Sequence, residues 1–209
     1  MDILRKLCLL LILAFALGAC QTAKELGHDF DPRLRPSDQA YRATVDAHLA
    51  KDSIYHGPAT DAHFIALPLG MTTRKAIVDR KALALGLTPA QTQKSWADQQ
   101  RAAKEALEVI VSAYVPESKW NNLDSQNPTF RAYMVTSGGQ RVEPFDRRRI
   151  KKRTSMHEAL YYFWGLWSRL YILSFPKTTA SGAPVVVDGK STMIMTGPPG
   201  QAKLELLWD

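Results

Sequence analysis

The stretch RRRIKKR, residues 147–153, places six cations in seven positions. Guanidinium and ammonium groups at this density bind phosphate, sulfate and carboxylate groups, so the stretch predicts contact with an anionic partner. The predicted contact residues are all of its basic side chains: Arg147, Arg148, Arg149, Lys151, Lys152 and Arg153. Nucleic acid, an anionic lipid or glycan surface and an acidic protein all fit this chemistry. We expect the stretch to form a solvated loop beside a buried strand, and the simplest alternative to a contact surface is a loop that only meets water.

An aromatic run follows this stretch. Residues 161–175, YYFWGLWSRLYILSF, carry one charge. Alternate side chains from Trp167 to Phe175 can face a core, which predicts a strand over residues 166–175. Residues 161–164 precede that strand, and we expect them to form a covering segment or an exposed contact surface.

The histidines offer one further site of possible chemistry. His56 and His63 lie seven residues apart across a turn, and with Asp61 they could bind a metal ion if they faced each other on paired strands. No further ligand has a convincing spacing. We therefore predict no metal ion, and interpret both histidines as surface or half-buried residues.

Catalytic motifs are weak throughout the chain. Ser174 and Lys177 fit S-x-x-K, but that chemistry needs the serine at the start of a helix, and Pro176 ends a strand here. Two acids for glycan hydrolysis could meet only in the folded protein, so the sequence leaves this possibility open, with Glu143, Asp146 and Glu158 as candidates. We predict no catalytic residue and no cofactor.

The N-terminus predicts the compartment. Arg5 and Lys6 precede an apolar run over residues 7–17, and the run is too short to span a bilayer comfortably. The following Leu17-Gly18-Ala19-Cys20 resembles the lipobox of bacterial lipoproteins. This resemblance implies that residues 1–19 are a signal peptide cleaved just before Cys20. It also implies that Cys20 carries a diacylglyceryl thioether and an acylated amino group, with palmitate among the acyl chains. Because Gln21 replaces the aspartate that often retains lipoproteins in the inner membrane, the resemblance also implies the inner leaflet of the outer membrane, facing the periplasm.

The remaining chain is typical of a tether followed by one domain. Residues 20–40 are polar and contain two prolines, which predicts a flexible tether averaging ~25 Å end to end. Residues 41–209 predict a mainly β domain, an antiparallel sandwich of about eight strands. Residues 42–56 favour a strand. A helical hairpin is inserted at about residues 72–105, and its second helix begins with a capping box formed by Thr88 and Gln91 around Pro89.

The domain also resembles, more loosely, Ig-like sandwiches of envelope lipoproteins. The resemblance rests on the helix–Gly–Leu–Thr–Pro–helix insert and on the later strands that end in LLW. It implies a fold and no activity.

These features favour a lipid-anchored envelope protein that acts as a non-catalytic binding or assembly module. Its predicted partners are the membrane, through Cys20, and an envelope protein or an anionic lipid or glycan. A net charge of +7 agrees with an acidic partner but does not choose its class. An envelope location argues against nucleic acid. The alternative function is a periplasmic hydrolase acting on cell-wall or glycan substrates.

Overall fold

The computed structural model describes the backbone from residue 36 to residue 209 and side chains from residue 38 onward. The lipobox with Cys20 and most of the predicted tether lie outside the described residues. The chain divides into two units, Met1–Ala40 and Tyr41–Asp209. The described elements belong to the second unit, apart from the start of the helix Pro36–Asp46, whose first residues were predicted as the end of the tether.

The helices and strands of the described residues follow one another along the chain with short connections. In order they are α1 (Pro36–Asp46), β1 (Ala50–His56), β2 (Ala59–Pro68), α2 (Met71–Leu85), α3 (Pro89–Glu105), β3 (Leu107–Tyr114), a 3-10 turn (Ser118–Trp120), β4 (Arg131–Val135), β5 (Arg141–Val142), β6 (Asp146–Ile150), α4 (Ser155–Leu160), β7 (Arg169–Phe175), β8 (Lys190–Gly197) and β9 (Gly200–Leu207).

The strands form two antiparallel sheets. One has the order β1-β2-β3-β7-β6 and the other has the order β5-β4-β8-β9. The described residues therefore form nine strands where the sequence predicted about eight, and the predicted mainly β sandwich with an inserted helical hairpin is confirmed.

Alternation along the central strands builds two hydrophobic clusters. In β3, Val109 and Val111 face the sandwich core between the sheets. Phe64 of β2 faces the same core, and its ring packs edge to face on Phe130 with 5.5 Å between the ring centroids. Ile110 points to the opposite face, into a second cluster covered by α1 and α4. The five-stranded sheet is therefore covered on both faces, which explains the nearly continuous apolar runs of β3 and β7.

The start of the domain differs from the prediction. Residues 42–56 do not form one strand, because α1 continues to Asp46 and β1 begins at Ala50. Tyr41 and Val45 are both buried in the second cluster, four residues apart on one face of the helix. That helical spacing outweighs the partial alternation of the following residues.

The basic stretch also differs from the prediction. Residues 147–150 are not a loop but most of strand β6, and the loop covers residues 151–153. Ile150 explains the difference, because it packs against the second cluster opposite Leu170 of β7 and fixes the register of the strand.

Candidate anionic-partner interface

Strand β6 is an edge of the five-stranded sheet and pairs with β7 alone. Arg147 lies opposite Leu173 and Arg149 lies opposite Tyr171, so both arginines are on the face of the sheet that lines the sandwich core. Arg148 lies opposite Ile172, on the face that carries the second cluster. Strand alternation therefore sends neighbouring arginines into different surroundings.

Arg148 is held by acidic residues. Its Nε donates to Asp146 Oδ2 at 3.0 Å, and its Nη2 lies 3.6 Å from Glu108 Oε1 in β3. The side chain of Arg148 remains 60% exposed, so these ion pairs are screened and contribute little stability by themselves.

Glu108 connects this surface pair to a buried arginine of α2. Arg74 is 1% exposed, and its Nη2 donates to Glu108 Oε2 at 2.9 Å. Its Nε donates to the carbonyl oxygen of Leu69 at 2.9 Å, and its Nη1 donates to Gln99 Oε1 at 2.7 Å. A buried guanidinium needs this set of acceptors, so Arg74 ties both helices of the hairpin to the sheet.

Arg153 is also used by the fold. Its Nε donates to Glu158 Oε1 at 3.0 Å, and its two Nη atoms donate to the carbonyl oxygens of Trp164 at 2.9 Å and Gly165 at 3.2 Å. The guanidinium carbon lies 5.0 Å from the centroid of the Trp164 ring. Arg153 therefore fastens the loop after β6 to the turn before β7.

The other four cations of the stretch differ from Arg148 and Arg153. Their charged side-chain groups form no hydrogen bond or ion pair with a residue that the structure describes, and the Nε of Arg149 is buried without an acceptor. Lys151 and Lys152 are exposed, and both arginines are half-buried. We call these four residues the cationic strip: Arg147, Arg149, Lys151 and Lys152.

Residues 161–164, predicted as a covering segment or an exposed contact surface, cover the second cluster in part. Phe163 and Trp164 are buried in the second cluster, with Tyr161 and Tyr162 half-buried beside them. Burial raises the pKa of Tyr161, and burial followed by the hydrogen bond to Asp46 raises the pKa of Tyr162. These phenols therefore act as neutral packing and hydrogen-bonding groups.

The strand prediction beyond that segment begins too early. β7 starts at Arg169, and Trp167 does not face the core but is 82% exposed, next to Leu166 at 84%. A turn over residues 165–168 causes this, closed by the bond from Ser168 N to the carbonyl oxygen of Gly165 at 3.1 Å. Gly165 inside an aromatic run was the local signal for a turn.

The histidines are separated by the register of the β1–β2 hairpin. His56 pairs with Ala59, whereas His63 lies opposite Ser53 and its Nδ1 is 2.7 Å from Ser53 Oγ. Burial, and then the charge of Lys51, lower the pKa of His63. No group of three metal-ligating side chains lies together within residues 38–209.

The catalytic candidates of the sequence are engaged in structural contacts of the fold. Lys177 Nζ donates to the carbonyl oxygen of Ala103 at 3.1 Å, and Ser174 is buried within β7. The three acids each pair with a different arginine: Glu143 with Arg141, Asp146 with Arg148, and Glu158 with Arg153.

A groove of about 480 Å³ lies between the start of α2, the end of α3 and residues 208–209. Its one carboxylate among the described lining residues is that of Asp209, whose Oδ2 accepts from Thr72 N at 2.9 Å. A Cβ added to Gly70 would lie 1.7 Å from Asp209 Oδ1, so the carboxylate is seated against the start of the helix. The groove thus lacks the pair of acids that glycan hydrolysis requires.

Comparison with known proteins returned no match to a family model, to a curated protein or to a solved structure. Within residues 36–209, no helix combines the length and the apolar character that crossing a membrane requires.

Proposed function

We propose that this chain is a lipid-anchored lipoprotein of the bacterial cell envelope, whose β-sandwich domain is a non-catalytic binding or assembly module. The anchor is supported by Leu17-Gly18-Ala19-Cys20 after a short apolar run. Gln21 favours the inner leaflet of the outer membrane. The domain then works in the periplasm and contacts an anionic partner through the cationic strip.

The unpaired charges of the strip carry this proposal. Arg148 and Arg153 have acidic partners within the domain, whereas the four residues of the strip have none among the described residues. Four cations on an edge strand and its following loop repel each other in the isolated domain, and a complementary anionic surface relieves that repulsion. Near an anionic membrane each cation adds roughly 1 kcal/mol of attraction.

The test of the anchor is chemical. We expect the mature protein to begin at Cys20 and to carry acyl chains, and the Cys20→Ser variant to keep residues 1–19 and to lose acyl labelling. Intact mass and labelling with a radioactive fatty acid measure both properties. An unmodified Cys20 thiol behind an uncleaved leader would refute the anchor.

The test of the contact surface is a comparison of two variants with the same net charge. One variant carries glutamate at the four positions of the strip. The control carries glutamate at four exposed cations elsewhere: Lys51, Lys94, Arg131 and Lys190. A photo-crosslinking residue at Thr154 reports neighbours in the intact envelope. We expect the strip variant to lose the crosslinked product and the control to keep it, whereas equal loss or equal retention would exclude the strip as the contact surface.

A further inference from the structure

The turn over residues 165–168 carries two large apolar side chains at its tip. Leu166 is 84% exposed and Trp167 is 82% exposed, the two highest values among the exposed large hydrophobic residues of the described chain. Tight turns normally place glycine, asparagine, aspartate, proline or serine at these positions, because those residues suit the backbone and water. Isolated exposed apolar residues are common, but an adjacent leucine and tryptophan at a turn tip are not.

The fold holds this turn firmly. Trp164 Nε1 donates to the carbonyl oxygen of Ser168 at 2.8 Å, across the base of the turn. Arg153 donates to the carbonyl oxygens of Trp164 and Gly165. A Cβ on Gly165 would lie 2.9 Å from Ser168 Oγ, so the side chain of Ser168 packs against the backbone of Gly165. The exposure of Leu166 and Trp167 is therefore built into the local structure.

The loop that carries Lys151 and Lys152 is fastened to this turn. Arg153 links the two places directly, because it follows Lys151 and Lys152 in the chain and contacts the turn through two carbonyl groups. Both lysines are exposed and have no acidic partner among the described residues. Glu158, the one acid in these contacts, is paired with Arg153. The surface thus combines an apolar tip with unpaired positive charge.

We propose that this turn inserts into the interfacial region of a bilayer, with Leu166 and Trp167 among the upper acyl chains and Lys151 and Lys152 on anionic headgroups. Tryptophan favours this region, because its ring is apolar and its indole N–H finds polar partners there. Lysine side chains reach headgroups through their flexible apolar stems. The domain would then lie against the membrane in one fixed orientation.

The size of the patch favours a bilayer over a protein partner. A stable protein interface buries about 800 Å² on each side. Two side chains at a turn tip provide far less, since even a tryptophan buries only about 150–250 Å². Insertion of a tip into lipid needs no matching surface. This inference deepens the proposed function, because it rests on two cations of the strip and names an anionic lipid surface as their partner.

The test is quenching of tryptophan fluorescence by brominated lipids. The full chain, purified from membranes, is reconstituted into vesicles whose acyl chains carry bromine at a shallow or a deep position, with and without phosphatidylglycerol. We expect shallow bromines to quench the wild-type protein most, and phosphatidylglycerol to strengthen the quenching. The Trp167→Phe variant should lose this quenching although the other four of the five tryptophans remain.

Two further variants separate insertion from simple proximity. Leu166→Ser should weaken quenching of Trp167, because the tip loses one of its two apolar side chains. The matched control replaces Leu83 and Leu85 of α2, which are 57% and 52% exposed, with serine, and it should be quenched like wild type. Equal quenching of the wild type and Trp167→Phe would overturn the inference.

The outcome is independent of the tests of the proposed function. A chain that lacks acyl groups refutes the anchor while quenching of Trp167 still supports insertion. A lipidated chain whose Trp167 is unaffected by either bromine position refutes insertion while the anchor stands. Absence of quenching together with a protein crosslinked from position 167 would assign the tip to a protein partner and would also overturn the inference.

Discussion

Arg74 and the cationic strip show two different uses of positive charge in one domain. Arg74 is 1% exposed, and all three of its guanidinium nitrogens donate to acceptors supplied by Leu69, Gln99 and Glu108. The strip lies on an edge strand and its loop, and its members have no acidic partner among the described residues. Charge alone does not distinguish the two, whereas partners and burial do.

Arg148 has features of both regions, an acidic partner and a place on the edge strand. It shares Glu108 with Arg74, yet it belongs to the same five-residue strand as Arg147 and Arg149. The neighbours of Arg148 in sequence point to the opposite face of the sheet. The comparison therefore predicts that replacing arginines will give graded losses of stability, in an order set by their partners.

The largest effect is expected at Arg74. The Arg74→Met variant leaves Glu108, whose side chain is 16% exposed, without its buried partner, so we expect a loss of about 3–5 kcal/mol in the free energy of unfolding. Denaturation in urea measures this loss. Lys81→Met on the same helix is the control and should change stability by less than about 0.5 kcal/mol, because Lys81 is exposed.

A second variant asks whether the loss comes from the unpaired carboxylate. Arg74→Met combined with Glu108→Leu removes both charges, and it should be more stable than Arg74→Met alone. If the single variant loses less than about 1 kcal/mol, the network contributes little and the distinction between structural and available cations fails.

The next effect is expected at Arg153. Arg153→Met removes the bonds to Glu158, Trp164 and Gly165, and because the side chain is 31% exposed we expect a loss of about 1–2 kcal/mol. Hydrogen exchange of the Ser168 amide, which closes the turn, should become faster at the same time. Lys152→Met is the control in the adjacent position, and a similar loss in that variant would show that Arg153 has no special role.

How far these roles follow from sequence depends on the distance between the partners. The predicted capping box of α3 is confirmed, because Thr88 and Gln91 are three residues apart and bond each other as expected. The turn at Asp188 and Gly189 also follows from its sequence, and both residues have positive φ, as the type I′ hairpin turn requires. Local chemistry suffices for such features.

Long-range partners could not be predicted from the sequence. Glu108 and Arg148 are forty positions apart, and only the β3–β7–β6 order brings them to one face. The whole basic stretch therefore looks uniform in sequence, although Arg148 and Arg153 are paired and the strip is not. The alternation around Trp167 predicts a buried strand, although Gly165 favours the turn that exposes this side chain. The bonds from Arg153 that hold the turn come from another segment.

The strip itself should contribute almost nothing to stability. Replacing Arg147 and Arg149 together with methionine should change the free energy of unfolding by less than about 0.5 kcal/mol, because neither has an ion pair to lose among the described residues. Removal of the unpaired Nε of Arg149 can even stabilise the domain. Urea denaturation of this variant, Arg74→Met and Arg153→Met under the same conditions compares their free energies of unfolding. A loss above about 1 kcal/mol in the double variant would place Arg147 and Arg149 among the structural cations.

The smallest effect on stability is expected at β1, the edge of the five-stranded sheet opposite β6. There the positive charge of Lys51 acts on His63 of β2. Burial, and then Lys51, lower the pKa of His63, with a smaller opposing effect of Asp52. Because the unfolded pKa is near 6.5 and the folded pKa is lower, the folded state binds the proton less readily than the unfolded chain. The contribution of His63 is therefore fully present above about pH 6.5 and is lost as the pH falls through the folded pKa.

Lys51→Met tests the role of that charge. The substitution should bring the pKa of His63 closer to its unfolded value, and the loss of stability on acidification should become smaller than in the wild type. His63→Gln should remove this component of the pH dependence. Urea denaturation between pH 5 and pH 8, with NMR titration of the His63 ring, measures both quantities. An unchanged His63 titration in Lys51→Met would show that the charge of Lys51 does not contribute to the lowered pKa.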